Sequence, residues 1–363
     1  MIEGTFPVPR KSFELYDFVG DADRAVLTSR GVLPWWSDPS LKIRFLRPIP
    51  SLLRFGEHRL LGSSPLLFHL HSFLWWALAV WAARRLFRLF VSERAAAIAV
   101  VAFSLAPCHT LPLAWLANRE ALVSLSFGVL GLTSYVTFRE SRRVHHALAS
   151  LVLFAAAFLS GEYAVCFAGY VIAFELVRTH ESLAKRLVGL APFFVPGALY
   201  LAVRAMRGYG TRGSAFYADP FSAPLDYLGS APRRLVTLLA DAWFALDGES
   251  LNSKTPLWLL ALLLLVLLTF FAGPIRAAVR ALSPSEARSV TAMFMGSVLC
   301  LVPVLAVVPS PRLLGASSLG ISLAIGVWLE RAFRTKIGAS TRALHLRAEL
   351  AQLAALGAAF LHL

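Results

Sequence analysis

Charge is what this sequence has least of. Only 15% of its residues are Asp, Glu, Lys or Arg, against 57% hydrophobic residues. Ordinary soluble domains carry roughly 25% charged residues, and a chain of 363 residues needs a polar surface to face water. The shortage therefore excludes an ordinary water-soluble fold. Cysteine is scarce too. Cys108, Cys166 and Cys300 stand apart, each in or beside an apolar run, with no CxxC pair. That argues against a disulfide framework or a structural zinc site and leaves small buried hydrophobes. The first 60 residues hold no continuous apolar stretch ending in a small-residue cleavage site, so no signal peptide is expected there. The net charge is +14, but the bases sit in short clusters between apolar runs. No aromatic-basic platform marks a nucleic-acid surface, and nucleic acid is not an expected partner.

What is present is a series of long oily runs. They lie near 65–83, 95–114, 121–138, 147–160, 162–177, 188–203, 256–273, 289–308 and 313–329. A helix of roughly 20 residues rising about 1.5 Å per residue matches a hydrocarbon core about 30 Å thick. A weaker stretch, 343–363, contains His345, Arg347 and Glu349 and reads as a tenth span or an amphipathic tail. The expected fold is an all-α, polytopic transmembrane bundle of about nine or ten spans. The region 147–177 reads as two helices meeting at Ser160-Gly161, because a single helix would overshoot the membrane.

Positive charge fixes the expected sidedness. If Arg84, Arg85, Arg88 and Arg94 are cytoplasmic, alternation puts Arg139, Arg142 and Arg143 there too. Arg178, Lys185, Arg186, Arg276, Arg280, Arg288, Arg331 and Arg334 follow, while the short opposite loops hold only Arg119 and Arg312. This bias is the positive-inside pattern. Four regions result. Residues 1–64 form a polar extracytoplasmic segment with short amphipathic helices. Residues 65–203 form the first half of the bundle, 204–255 an extracytoplasmic loop, and 256–363 the C-terminal helices and tail.

The polar residues left over are candidates for chemistry. Asp21 and Asp23 are two apart in Gly20-Asp21-Ala22-Asp23. In a turn they can converge on a divalent cation or act as a general base; the plainer alternative is two solvated acids, one of them a helix cap. Arg47 precedes Pro48 near the first span, where a guanidinium can grip a phosphate or merely attract headgroups. His69 and His71 lie two apart near the outer end of the first run, a spacing that does not converge on a helix. Arg119 and Glu120 open an apolar run, where charge is costly unless paired or bound to a ligand. Glu162 is the only acid between two runs. Arg204, Tyr209, Arg212 and Tyr217 accompany Gly208, Gly210 and Gly213 in the long outer loop. This is a phosphate or sugar cradle or a flexible connector, but not a Walker A loop, since the Lys-Ser/Thr end is missing.

Taken in order, several pieces resemble the polytopic glycosyltransferases of the GT-C superfamily, nearest to the protein O-mannosyltransferase-like group often joined to tetratricopeptide repeats. They are Asp17-Phe18-Val19-Gly20-Asp21-Ala22-Asp23, Phe45-Leu46-Arg47-Pro48-Ile49-Pro50, Phe68-His69-Leu70-His71, Ala114-Trp115-Leu116-Ala117-Asn118-Arg119-Glu120 and Leu159-Ser160-Gly161-Glu162. The resemblance covers residues 17 to about 180. It implies sugar transfer from a polyprenyl-phosphate donor to a protein or lipid acceptor, at the extracytoplasmic face of a bacterial inner membrane. It implies Asp21 and Asp23 as the catalytic and cation-linked pair. Arg47, His69, Arg119, Glu120, Glu162 and Arg212 would contact the substrate or its phosphate. The chain departs from the family in lacking a hydrophobic helix before the first outer loop, and it has Asp-Ala-Asp where two adjacent acids are usual. Glu120 stands where Asp is common, Gly161 where Lys is common, and the repeats are absent. The rival expectations are a transporter or flippase for a lipid-linked or anionic substrate, and a non-catalytic relative.

Overall fold

A computed structural model describes residues 10–20, 22–177, 181–214, 216–218, 220, 223–247 and 255–338. Asp21, Arg178 and the stretch 343–363 therefore lie outside the described residues.

The polar N-terminal segment has a small core of its own. Strand β1 (Asp17–Val19) and helix α1 (Arg24–Ser29) come first, followed by strand β2 (Lys42–Arg44). Val19, Leu27 and Leu33 are buried together, with Leu41 and Ile43 against them. Helix α2 (Pro48–Leu60) follows, with Pro48 in its first turn. A residue before proline is kept out of the helical region, and Arg47 caps the helix at φ −134° and ψ 63°. This holds its guanidinium at the helix entrance rather than along its flank.

The bundle then runs through α3 (Pro65–Phe87), α4 (Glu93–Ser104), α5 (Thr110–Ala114), α6 (Glu120–Ser141), α7 (Val144–Ser160), α8 (Phe167–Val177), α9 (Leu183–Gly189) and α10 (Ala191–Met206). After a third strand, β3 (Gly210–Arg212), come α11 (Pro224–Phe244), α12 (Leu257–Arg280), α13 (Pro284–Leu299), α14 (Leu301–Val304) and α15 (Ser317–Gly338). Their most extensive pairings are α6 with α7, α8 with α13, α4 with α15 and α3 with α6. Glycine makes some of these approaches possible. A methyl at Gly169 on α8 would sit 2.5 Å from the Cys300 backbone nitrogen, and one at Gly320 on α15 would sit 2.2 Å from the Met293 carbonyl oxygen. Small residues at crossings are how membrane helices gain dispersion contacts.

Among the described residues, four apolar helices have membrane length without a break: Pro65–Phe87, Leu116–Ser141, Leu257–Arg280 and Pro284–Val304. Two expected spans are bent instead. The run at 95–114 bends by 47° between Glu93–Ser104 and Pro107–Ala114, where Pro107 cannot continue the helix. The run at 188–203 joins Leu183–Gly189 to Ala191–Met206 at 57°. The region 147–177 is two helices, as expected: α7 stops at Ser160, and a 3-10 turn, Glu162–Cys166, leads into α8. Gly161 at the break has φ 157° and ψ 168°, a region open essentially to glycine alone. The chain is an integral, multi-pass, all-α membrane protein.

Two features depart from the sequence reading. The stretch 204–255 contains the 21-residue helix α11, whose buried Leu238, Ala240, Trp243 and Phe244 join the main core. A small antiparallel sheet of order β1-β2-β3 also forms, pairing Asp17 with Arg44 and Arg44 with Gly210. It ties the N-terminal segment to the chain after α10. The next residues continue the tie, with the Ala218 N–H donating to the Ala306 carbonyl at 2.8 Å and the Val308 N–H to that of Phe216 at 3.0 Å.

Candidate functional site

Those ties close over a cavity of about 410 Å³. Tyr16, Phe18, Phe45, Trp115, Tyr163 and Tyr217 supply aromatic wall, and Pro303, Val304, Ala306 and Val307 supply apolar wall. Arg47, Asn118, Glu120, Glu162, Arg204 and Arg312 supply the polar groups. These residues come from segments far apart in the chain, from Tyr16 beside the first strand to the loop before α15.

Arg47 is the centre of the polar wall. Its Nη1 donates to Glu120 Oε1 at 2.8 Å, and its Nη2 lies 3.1 Å from Glu162 Oε2, which also receives Nε at 3.2 Å. The guanidinium stacks 4.2 Å above the Phe45 ring. Burial works against its charge, but Glu162 and Glu120 outweigh burial and hold its pKa above the usual arginine value. Asn118 adds a donor to Glu120 Oε1 at 3.2 Å and another to the Tyr163 hydroxyl at 3.2 Å. Each acid is left with one buried oxygen that has no hydrogen-bond partner, Glu120 Oε2 and Glu162 Oε1. Asn118 Oδ1 is in the same state. Buried acceptors without partners are rare and costly, so a wall that carries three is set up for a donor group from a ligand. The neighbouring Tyr16 and Tyr217 have their hydroxyl pKa raised by burial, so they stand in the cavity as neutral hydrogen-bonding groups.

Arg204 and Arg312 line the same cavity and form no ion pair among the described residues. Arg204 Nε is buried without a hydrogen-bond partner. Arg312 lies 5.9 Å from the Trp115 ring centre. Among the described residues the lining thus holds three arginines and two glutamates, and the surplus positive charge favours an anion.

Of the residues singled out from sequence, Arg47, Glu120 and Glu162 meet here. The others are placed elsewhere. Arg119 donates to Ser72 Oγ at 2.8 Å, to the Phe68 carbonyl at 2.6 Å and to Glu57, so its charge is already satisfied. His71 shares that buried group, with Nδ1 2.6 Å from Glu57 and Nε2 accepting from the Trp75 indole at 2.9 Å. His69 reaches the Leu113 carbonyl at 3.2 Å. Arg212 is exposed on β3, while its neighbour Thr211 is the residue that faces the cavity. Asp23 does not line the cavity. Its Oδ2 accepts from Arg10 at 2.5 Å and from the Gly20 N–H at 2.8 Å, and its Oδ1 from Arg10 at 3.2 Å. Burial opposes its ionisation, yet these hydrogen bonds win and hold the carboxyl below the usual range. Both oxygens are committed, so the residue does not fit a cation ligand. Among the described residues, no group of three His, Cys, Asp or Glu is placed to hold a metal.

No protein-family model and no curated protein matches the sequence. A solved structure does. The chain is similar to the crystal structure of ArnT from Cupriavidus metallidurans bound to undecaprenyl phosphate, with a TM-score of 0.51 at 13% sequence identity. The fold is GT-C-like. The alignment covers 96% of this chain and 66% of the other, so the chain spans about two thirds of that ArnT's length. At this identity the likeness is one of fold. The GT-C-like bundle puts the cavity where residues from the N-terminal segment, the start of α6, the bend before α8, the end of α10 and the loop before α15 converge.

Proposed function

We propose that this chain is a membrane glycosyltransferase. It takes a sugar from a polyprenyl-phosphate donor and passes it to a hydroxyl on a protein or lipid acceptor. The setting is the extracytoplasmic face of a bacterial inner membrane, the side assigned by the arginine bias of the loops. The ordered motifs from Asp17 to Glu162 support a place near the protein O-mannosyltransferase-like group. One observation carries the reading: Arg204 and Arg312, which form no ion pair among the described residues, line one aromatic-walled cavity with the half-committed Glu120 and Glu162.

The chemistry of sugar transfer asks for these parts. The leaving group is a lipid phosphate, and charge grows on its bridging oxygen as the glycosidic bond breaks. Guanidinium groups aimed at that oxygen stabilise the charge. A sugar offers hydroxyls to buried acceptors and apolar ring faces to aromatic side chains. Glu120 Oε2 and Asn118 Oδ1 are the acceptors, and Phe45, Tyr163 and Tyr217 are among the faces. The test uses purified protein in lipid nanodiscs with undecaprenyl-phosphate-linked hexoses and envelope acceptors. Release of undecaprenyl phosphate with labelling of an acceptor is expected. Neither binding nor release would refute the reading.

A second reading draws on Asp23, which is sealed by Arg10 and the Gly20 N–H. If that acidic motif is needed for turnover, the chain is a non-catalytic relative that binds the lipid-linked sugar and keeps it. Binding without release in the same assay is its signature.

A further inference from the structure

We infer that Glu162 is the base that takes the acceptor's hydroxyl proton, an assignment that rests on the sugar-transfer reading above. The acidic motif of the N-terminal segment is the obvious source of a base. Yet Asp17 is held by Arg44 at 2.8 Å, and Asp23 has both oxygens engaged by Arg10. Neither lines the cavity. Among the described residues, the two acids that do are Glu120 and Glu162.

Access separates them. The Glu120 side chain is 2% exposed and that of Glu162 29%. Glu162 is therefore the cavity acid with accessible side-chain surface, while its Oε1 is itself buried. Glu162 also sits at the break after α7, on a 3-10 turn, and lines the cavity. Its Oε2 is fixed by two nitrogens of Arg47, at 3.1 and 3.2 Å, while Oε1 has no partner. Oε2 is thus the anchor of the carboxylate, and Oε1 is buried beside it. Glu120 is a positioning residue: from the far side it holds Arg47 at 2.8 Å, and Arg47 in turn aims Glu162.

The step balances without any further reagent. The acceptor O–H proton moves to the Glu162 carboxylate. The acceptor oxygen forms a bond to the anomeric carbon as the bond from that carbon to the phosphate oxygen breaks. The electron pair of the broken bond leaves with the polyprenyl phosphate, whose charge faces Arg204 and Arg312. The proton on Glu162 then returns to solvent.

The test compares the parent with E162Q, E162D, E120Q and D21N in nanodiscs. It measures undecaprenyl phosphate binding and turnover of undecaprenyl-phosphate-linked hexoses against pH. E162Q should bind undecaprenyl phosphate like the parent, which also shows that it is folded, and lose turnover by about 10²- to 10⁴-fold. The acidic limb of the pH-rate profile should vanish with it, and E162D should restore part of the rate. Parent-like turnover and pH profile in E162Q, or loss of that limb in D21N instead, overturns the assignment alone. A parent that does not turn over any such donor overturns the sugar-transfer reading and the assignment with it.

Discussion

Arg47 and Glu162 are 115 residues apart in the chain, and their side chains meet at 3.1 Å in the wall of the cavity. The contact joins the entrance of α2 to the break after α7. With Glu120 on the other side of the guanidinium, it forms a buried acid–base–acid row. Removing the middle charge leaves Glu120 buried without a counter-charge, which typically costs about 3–5 kcal/mol. R47A is therefore expected to melt well below the parent in detergent, and R47A/E120Q to recover part of the loss. Equal melting temperatures for the parent and R47A would contradict the row as drawn.

Helix crossings built on glycine give a second expectation. Gly320 faces the Met293 carbonyl so closely that a methyl would lie 2.2 Å from it, against backbone that cannot swing aside. G320A should destabilise the bundle by about 1–3 kcal/mol or more. Gly273 on α12 has nothing within 4 Å of the same position. G273A should be neutral or raise stability by up to about 1 kcal/mol, since alanine is the better helix former. Chemical denaturation of both variants in one detergent decides it. A parallel shift in the two would show that the α13–α15 crossing is looser than described.

Acid should loosen the N-terminal segment. Burial opposes the charges of Asp23 and Glu57. Their hydrogen bonds, from Arg10 and Gly20 and from His71 and Arg119, prevail and hold both carboxyls below their ordinary values of 3.8 and 4.5. A depressed folded pKa means stability that is fully present above the ordinary value and is lost as pH falls through the depressed one. The melting temperature of the parent should therefore drop as pH falls below the ordinary values of 4.5 and 3.8. D23N/E57Q should start lower and lose less over that window. An equal drop in both proteins would place the acid-sensitive groups elsewhere.

The bundle was legible where physics is local. The stretch from Leu257 to Ala272 could only be a membrane helix, and Gly161 marked a break that the structure places at the same residue. Pro107 was visible too, but whether a proline bends a span or ends it depends on what packs around it. Helix α11 was hidden because Arg233 and Arg234 interrupt its apolar run, leaving a surface stripe in place of a membrane-length signal. Strands of three residues carry no period to read. Within the site, Arg47, Glu120 and Glu162 announced themselves as charges at the edges of oily runs. The difference between Arg119 and Arg312 did not. Both stand alone in short loops, yet Arg119 is claimed by Glu57, 62 residues earlier, while Arg312 finds an aromatic ring and the cavity. Which arginine is left for a ligand depends on where the acids fall in three dimensions.

Arg204 and Arg312 make up the anion-binding group proposed for the cavity, and lipid binding reads their contribution. Native mass spectrometry of the purified protein with undecaprenyl phosphate should show one bound lipid. R204A/R312A should bind it about 10- to 100-fold more weakly, the loss of one or two charge-assisted hydrogen bonds. Its melting temperature should match the parent's, because neither arginine pairs with an acid among the described residues. Undecaprenyl phosphate that binds the double variant as tightly as the parent, or that binds neither, would contradict the account.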